Sequence, residues 1–204
     1  LSYHTLFSIC IFLPTLDGWV TDNIIQFAGE VIETNYGLRS PSRKILVLHP
    51  VASMFVRKNA DDILPHLNCD EKEWIFCPLN NASENEPKGS HWYLLIVSRE
   101  LGMSFYLDSL LPLHHNLRNS SGEIRRAEET NNAIYLRILP CIKQTNSIDC
   151  GIYVILYIYL ICDLLLKGDL SWVNVGLVGE NLTSVALSLR KRLKGEVDAY
   201  LKNR

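Results

Sequence analysis

Glycine and proline are scarce in this chain, at 11 and 8 of 204 residues, which leaves no room for a collagen-like or low-complexity polymer. An excess of one charge is missing too. Twenty Lys and Arg stand against 22 Asp and Glu, for a net charge of −2 and a pI near 6.3. With no broad basic surface implied, nucleic acid is argued against as the main partner. The cysteines, at positions 10, 69, 77, 141, 150 and 162, include no CxxC pair, so zinc-ribbon and thioredoxin-type readings have no anchor. They read as free thiols of a reducing compartment. No apolar run reaches bilayer length, because Ile152–Cys162 meets Asp163 well short of the roughly 20 residues a span needs. Leu6–Leu13 lacks the basic lead and the small-x-small site of a secretory signal. It is read as a partly buried strand, and the Leu at position 1 as a trimmed or incomplete start. The sequons at Asn81, Asn119 and Asn181 are then chance.

What is present is an ordinary core-forming mixture, 48% hydrophobic and 21% charged. With no internal repeat and no linker, it reads as a single α+β domain over residues 1–204. Helical spacing of apolar residues predicts a helix over Trp19–Glu33, stopping before the turn Asn35–Gly37. Short helices are expected at Ala52–Arg57 and Ala60–Leu67, and strands at Ile45–Leu48, Glu73–Leu79 and Ile134–Leu139. Asn80–Gly89 is a polar loop. His91–Ser98 and Met103–Asp108 flank Arg99–Gly102 as a hairpin. Leu110–Asn132 is irregular, with one helix at its RRAEE segment. Ile152–Cys162, apolar all round, predicts a central buried helix. Leu182–Leu201 predicts a closing amphipathic helix with Leu182, Val185, Leu189, Leu193 and Val197 inward.

Three places carry candidate chemistry. Cys150, in Asp149-Cys150-Gly151, precedes the buried helix, and a sulfur at a helix N-terminus is favoured as a thiolate. Gly151 beside it leaves space for a substrate backbone; the alternative is a small buried cysteine. In the hairpin, opposed residues share a near-constant sum of position numbers, about 199–201 for this turn. A sum of 199 sets His91 opposite Asp108, close enough for a carboxylate to orient an imidazole. The alternative is a surface His–Asp pair. Gln144, six residues before Cys150, offers an amide N–H for an oxyanion hole beside the Cys150 backbone N–H, or is a solvated loop side chain. His114 and His115 have no ligand cluster nearby and are read as loop histidines.

The combination resembles a known family. His91-Trp92, Leu107-Asp108-Ser109 and Gln144…Asp149-Cys150-Gly151 stand in the order of the ubiquitin-like-protein proteases, the sentrin/SUMO-specific cysteine proteases. Gly18-Trp19-Val20-Thr21-Asp22 resembles their Trp-Leu-x-Asp segment, with Val20 in place of Leu. The opening Leu1-Ser2-Tyr3, the IIQFAGEVIE helix and QTNSIDCGIYV are most similar to the deneddylase branch. The resemblance implies a papain-like cysteine protease domain with a central mixed sheet and the nucleophile at the N-terminus of a buried helix. It implies Cys150 as nucleophile, His91 as base and then acid, Asp108 as its orienter and Gln144 as oxyanion donor. Trp19 and Trp92 would bracket a Gly-Gly tail, Asp22 would help recognise it, and Asn80–Gly89 would close over it. The implied substrate is the neddylation modifier, as precursor or on conjugates such as cullins. SUMO or another modifier, or a catalytically silent modifier-binding module, are the alternatives. No metal or organic cofactor is expected, and the protein is expected to be a monomer of the cytoplasm or nucleus, off the membrane.

Overall fold

The computed structural model describes residues 18–41, 44–58, 69–82, 89–110, 124–126, 135–178 and 184–191. In chain order they form α1 (Asp22–Arg39), β1 (Ile45–Val47), α2 (Pro50–Lys58), a 3-10 turn (Cys69–Glu71), β2 (Trp74–Asn80) and β3 (Trp92–Ser98). Then come β4 (Met103–Leu107), β5 (Ile124–Arg126), β6 (Tyr135–Ile138), α3 (Cys150–Leu166) and α4 (Trp172–Val175). Residues 184–191 are helical, here α5. Six strands make one sheet in the order β1-β2-β3-β4-β6-β5. The β1–β2 and β4–β6 pairs are parallel and the others antiparallel, so the sheet is mixed, as expected. Helices packed on such a sheet make an α+β domain.

The core explains the arrangement. In β3 the even positions Trp92, Leu94, Ile96 and Ser98 are buried and the odd ones half-buried, the period of a strand with one face inward. α3 packs on that strand and α1 packs on α3 and β1. Twelve residues of α3, from Cys150 to Leu165, are buried, which is why the helix is apolar on every side. At the far end of the sheet Trp74, Phe105 and Trp172 form an aromatic cluster with ring centroids 5.2 to 6.4 Å apart. No helix among the described residues is long and apolar enough to cross a membrane.

Several expectations need correction. α1 runs through Asn35–Gly37 to Arg39, because Tyr36, 2% exposed, is a core residue and tertiary burial overrides a local turn signal. Two residues of the RRAEE segment, Arg125 and Arg126, lie in β5 and not in a helix, since pairing with β6 supplies the backbone partners a helix would have supplied. α4 has no counterpart among the predicted elements. It exists to seat Trp172, 1% exposed, against Trp74 and Phe105. In α5 Leu189 packs against the core as expected, but the fully buried residue is Ala186, 1% exposed, while Val185 is 39% exposed; residues 182, 193 and 197 lie outside the described residues. Leu6–Leu13, Ala60–Leu67, the two histidines at 114 and 115, and most of the loop Asn80–Gly89 lie outside the described residues.

The hairpin takes the upper end of the expected range of registers. Leu94 pairs with Leu107 and Ser98 with Met103, so the sum is 201, and the turn closes on Gly102 at φ 62°, a left-handed angle suited to glycine. His91 is therefore not opposite Asp108. It sits two residues along on the same face, a diagonal neighbour still within reach of a long side chain.

Candidate active site

Strand ends build the site. Asn81, just past β2, holds the start of β3. Its Oδ1 accepts from the Ser90 N–H at 2.6 Å and the His91 N–H at 2.9 Å, and its own N–H donates to the His91 carbonyl at 3.0 Å. The Asn81 side chain is thus structural, whatever its sequon suggests. The His91 ring then meets Asp108 across the hairpin, Nε2 to Oδ1 at 2.7 Å. An ionised carboxylate only accepts, so Nε2 carries the proton. Asp108 is held in turn by the Leu110 N–H at 2.8 Å and the Tyr106 hydroxyl at 3.1 Å. Tyr93 lies against both His91 and Tyr106, ring centroids 6.3 and 5.2 Å away, which fixes the imidazole plane.

Charge follows from this geometry. Burial works against the imidazolium of His91, but the Asp108 hydrogen bond, then the Cys150 sulfur, then the charge of Asp108 outweigh it and push the ring up to about 9. Asp108 is the mirror case: burial opposes its ionisation, and the bonds from His91 and the Leu110 N–H override that and hold it below its ordinary value. His91 Nδ1 is buried without a hydrogen-bond partner. It is the ring nitrogen left for Cys150, which starts α3 and is 1% exposed.

The chain between β6 and α3 is laced to the end of β4. The Asp108 carbonyl accepts from the Lys143 ammonium at 2.8 Å and the Cys141 thiol at 3.3 Å. Next to it, the Ser109 carbonyl accepts the Gln144 N–H at 3.1 Å and the Ser109 hydroxyl donates to Gln144 Oε1 at 2.5 Å. Gln144 is therefore no solvated loop residue. One Nε2 hydrogen goes to the Asn146 carbonyl at 2.6 Å, and a primary amide has a second.

Gly151 does not face open space. A Cβ there would stand 2.8 Å from Val20 Cβ and 3.4 Å from Ile25 Cδ1, so the glycine admits the protein's own Val20 and not a substrate backbone. The neighbouring tryptophans differ in setting. Trp92 is 9% exposed and donates its indole N–H to the Val20 carbonyl at 3.1 Å, whereas Trp19 is 42% exposed. Asp22 stands in the first turn of α1, accepting from the Asn23 N–H at 3.0 Å.

The other described cysteines, 69, 77, 141 and 162, are buried and form no disulfide. Burial pushes the Cys77 thiol up to about 12 and raises Cys162 as well, which suits packing and not reactivity. Among the described residues no cluster of three His, Cys, Asp or Glu could hold a metal ion.

Sequence reasoning missed Asn81, Tyr106 and Arg190. Tyr106 had a signal, since two residues before Asp108 on a strand means the same face. Arg190, which ion-pairs with Asp149 from α5, had none.

A cysteine at a helix start with a carboxylate-bound histidine at hand is the arrangement of an activated thiol nucleophile. The model for Peptidase_C48, the Ulp1 protease family, C-terminal catalytic domain, matches residues 57–203. The chain belongs to this family. That family consists of cysteine peptidases, and its matched span contains His91, Asp108, Gln144 and Cys150, while Trp19 and Asp22 precede it. Among curated relatives, NEDD8-specific protease 2 of Schizosaccharomyces pombe is 30% identical over 149 residues, 67% of this chain and 34% of that protein. Sentrin-specific protease 8 of Mus musculus is 26% identical over 161 residues, 73% of this chain and 70% of the relative. The chain thus spans about a third of the yeast relative's length. Among solved structures, a de-sumoylating protease has a TM-score of 0.59 at 18% identity, covering 100% of this chain and 88% of its own. The Ulp1-like SUMO protease catalytic domain of Chaetomium thermophilum has a TM-score of 0.55 at 15% identity, covering 90% and 74%. These two likenesses show a shared Ulp1-like protease fold.

Proposed function

We propose that this chain is a cysteine protease that cleaves behind the Gly-Gly tail of a ubiquitin-like modifier, the neddylation modifier NEDD8 in the first place. One observation carries the reading: in a Ulp1-family chain, His91 is bound through Nε2 to Asp108 and turns a buried, unpartnered Nδ1 to the Cys150 side. NEDD8 is favoured over SUMO because the NEDD8-specific protease of Schizosaccharomyces pombe is similar in sequence, whereas the SUMO protease structures at 18% identity share the fold alone.

In this mechanism Cys150, as thiolate beside the His91 imidazolium, attacks the carbonyl carbon of the terminal glycine. The oxyanion takes hydrogen bonds from the second Gln144 amide N–H and the Cys150 backbone N–H, donors of a kind worth about 3–4 kcal/mol in the transition state. His91 gives its Nδ1 proton to the leaving amine, and a thioester to Cys150 remains. Neutral His91 then draws a proton from water as its oxygen attacks the thioester; the Cys150 thiolate is expelled beside the re-formed imidazolium, and the carboxyl product gives its remaining proton to solvent. Asp108 keeps Nε2–H in place through both steps. Exposed Trp19 and the edge of Trp92 admit a tail without Cβ atoms between them, and Asp22 contributes to its recognition. Substrates of this kind are the modifier's precursor and isopeptide conjugates such as those on cullins, in the cytoplasm or nucleus.

A panel of NEDD8, SUMO and ubiquitin bearing C-terminal fluorogenic amides tests the reading. Fastest turnover of NEDD8 is expected, with Cys150 the residue captured by a NEDD8 carrying a C-terminal electrophile. Inertness towards NEDD8 with turnover of SUMO would transfer the assignment to SUMO. Capture without turnover would make the chain a binding module.

A further inference from the structure

Arg190, on α5, belongs to no motif in the sequence, yet its guanidinium ends on the two residues that precede Cys150. Its Nε pairs with Asp149 Oδ1, Nη2 donates to the Ile148 carbonyl at 3.0 Å, and Nη1 donates to the Gly18 carbonyl at 3.0 Å. The side chain is only 14% exposed and that of Asp149 4%. The second Asp149 oxygen accepts from Asn146 Nδ2 at 2.6 Å. Ile148 and Asp149 immediately precede Cys150, and Gly18 immediately precedes Trp19. On the other side of Trp19, the Val20 carbonyl is tethered to the Trp92 indole at 3.1 Å. The exposed Trp19 ring therefore hangs between two anchored carbonyls.

We infer that Arg190 is a positioning residue that locks the Trp19 segment to the turn carrying Cys150, so that tail-binding surface and attacking sulfur keep one spacing. This rests on the protease reading for the roles of Trp19 and Cys150. A planar group with five donors in fixed directions holds two backbone segments and a carboxylate at once. A lysine ammonium can keep the ion pair with Asp149 but is too compact to span all three acceptors. Loss of the Gly18 arm frees the Trp19 segment without removing any group from the reacting atoms, so the defect belongs to tail binding.

Two variants test it: Arg190→Lys, and Arg190→Gln combined with Asp149→Asn, which leaves no unpaired buried charge. Hydrogen exchange of the peptide spanning residues 18–21 is expected to quicken in both, with exchange in the sheet unchanged. On a modifier-tail amide, with enzyme counted by active-site titration, KM is expected to rise about tenfold, the scale of one lost hydrogen bond from a charged donor, and to rise more than kcat falls. Unchanged exchange at residues 18–21, or a kcat loss tracking the folded fraction with KM unmoved, would overturn the clamp. A wild-type protein inert towards every modifier would instead sink the protease reading, and the exchange measurement would still decide the role of Arg190.

Discussion

Asp108→Asn is the most informative single substitution, because it removes a charge while leaving the shape. Asparagine still offers an Oδ1 to His91 Nε2–H and the Leu110 N–H, and the Tyr106 hydroxyl can turn to accept from its Nδ2. What goes is the carboxylate that, with Cys150, lifts the imidazole to about 9 against the pull of burial. Without it, burial is opposed by Cys150 alone and the His91 value falls towards its ordinary 6.5. At pH 7.5 a ring at about 9 is about 97% imidazolium and a ring fully back at 6.5 about 9%, so the form that protonates the leaving amine falls by up to roughly tenfold. Asparagine can also turn its NH2 to the ring and favour the wrong tautomer, which extends the total loss in kcat/KM to about 10²–10⁴-fold. Two assays separate these effects: a titration of the His91 ring by NMR in both proteins, and the pH profile of kcat/KM on a modifier-tail amide. A wild-type ring titrating near 6.5, or a variant ring still near 9, would refute the electrostatic account whatever the rates.

Four further outcomes are expected. Gln144→Ala should lower kcat by about 10²–10³-fold, the usual cost of an oxyanion donor; a loss under threefold would remove Gln144 from that role. Tyr106→Phe deletes one of the three bonds to Asp108 and should reduce kcat/KM by about three- to tenfold, with no gain in KM on titrated enzyme. Gly151→Ala forces a Cβ to 2.8 Å from Val20 Cβ, costing about 1–3 kcal/mol and roughly 3–10 °C in Tm, and Val20→Ala should restore most of it. The His91–Asp108 pair should also shape stability against pH. The raised His91 value stabilises the fold fully below 6.5 and is lost as pH climbs through about 9. The lowered Asp108 value stabilises it above the ordinary 3.8 and is lost on further acidification. Tm measured from pH 3 to 10 should thus flatten in Asp108→Asn at both ends, and an unchanged profile would contradict the coupling.

Legibility tracked the range of the interaction. α3 was readable because twelve buried residues in one helix leave an apolar run with no polar face. The β3–β4 hairpin was readable because both strands and the turn are contiguous, yet only a range of registers was, and the pairing fell at its upper end, since turn length alone leaves several pairings open. α1 ran past its expected end because the burial of Tyr36 depends on α3, more than a hundred residues later. β5 is a strand because β6 pairs with it, and nothing inside three residues encodes that. Arg190 reaches Asp149 across 41 residues and Gly18 across 172, and a guanidinium carries no mark of its distant partners.

Local chemistry therefore settled which side chains were available: an unpaired cysteine before an apolar helix, a histidine and an aspartate on one face of a hairpin, and a glutamine just upstream. Those are matters of periodicity and spacing, which the chain states in its own order. Tertiary structure decided what they touch. It set the 2.7 Å bond that raises His91, gave the space beside Gly151 to Val20 and not to a substrate, and brought an arginine of α5 to the turn before Cys150. Contacts between residues far apart in sequence are fixed by the packing of whole elements, so they exist only once the chain has folded.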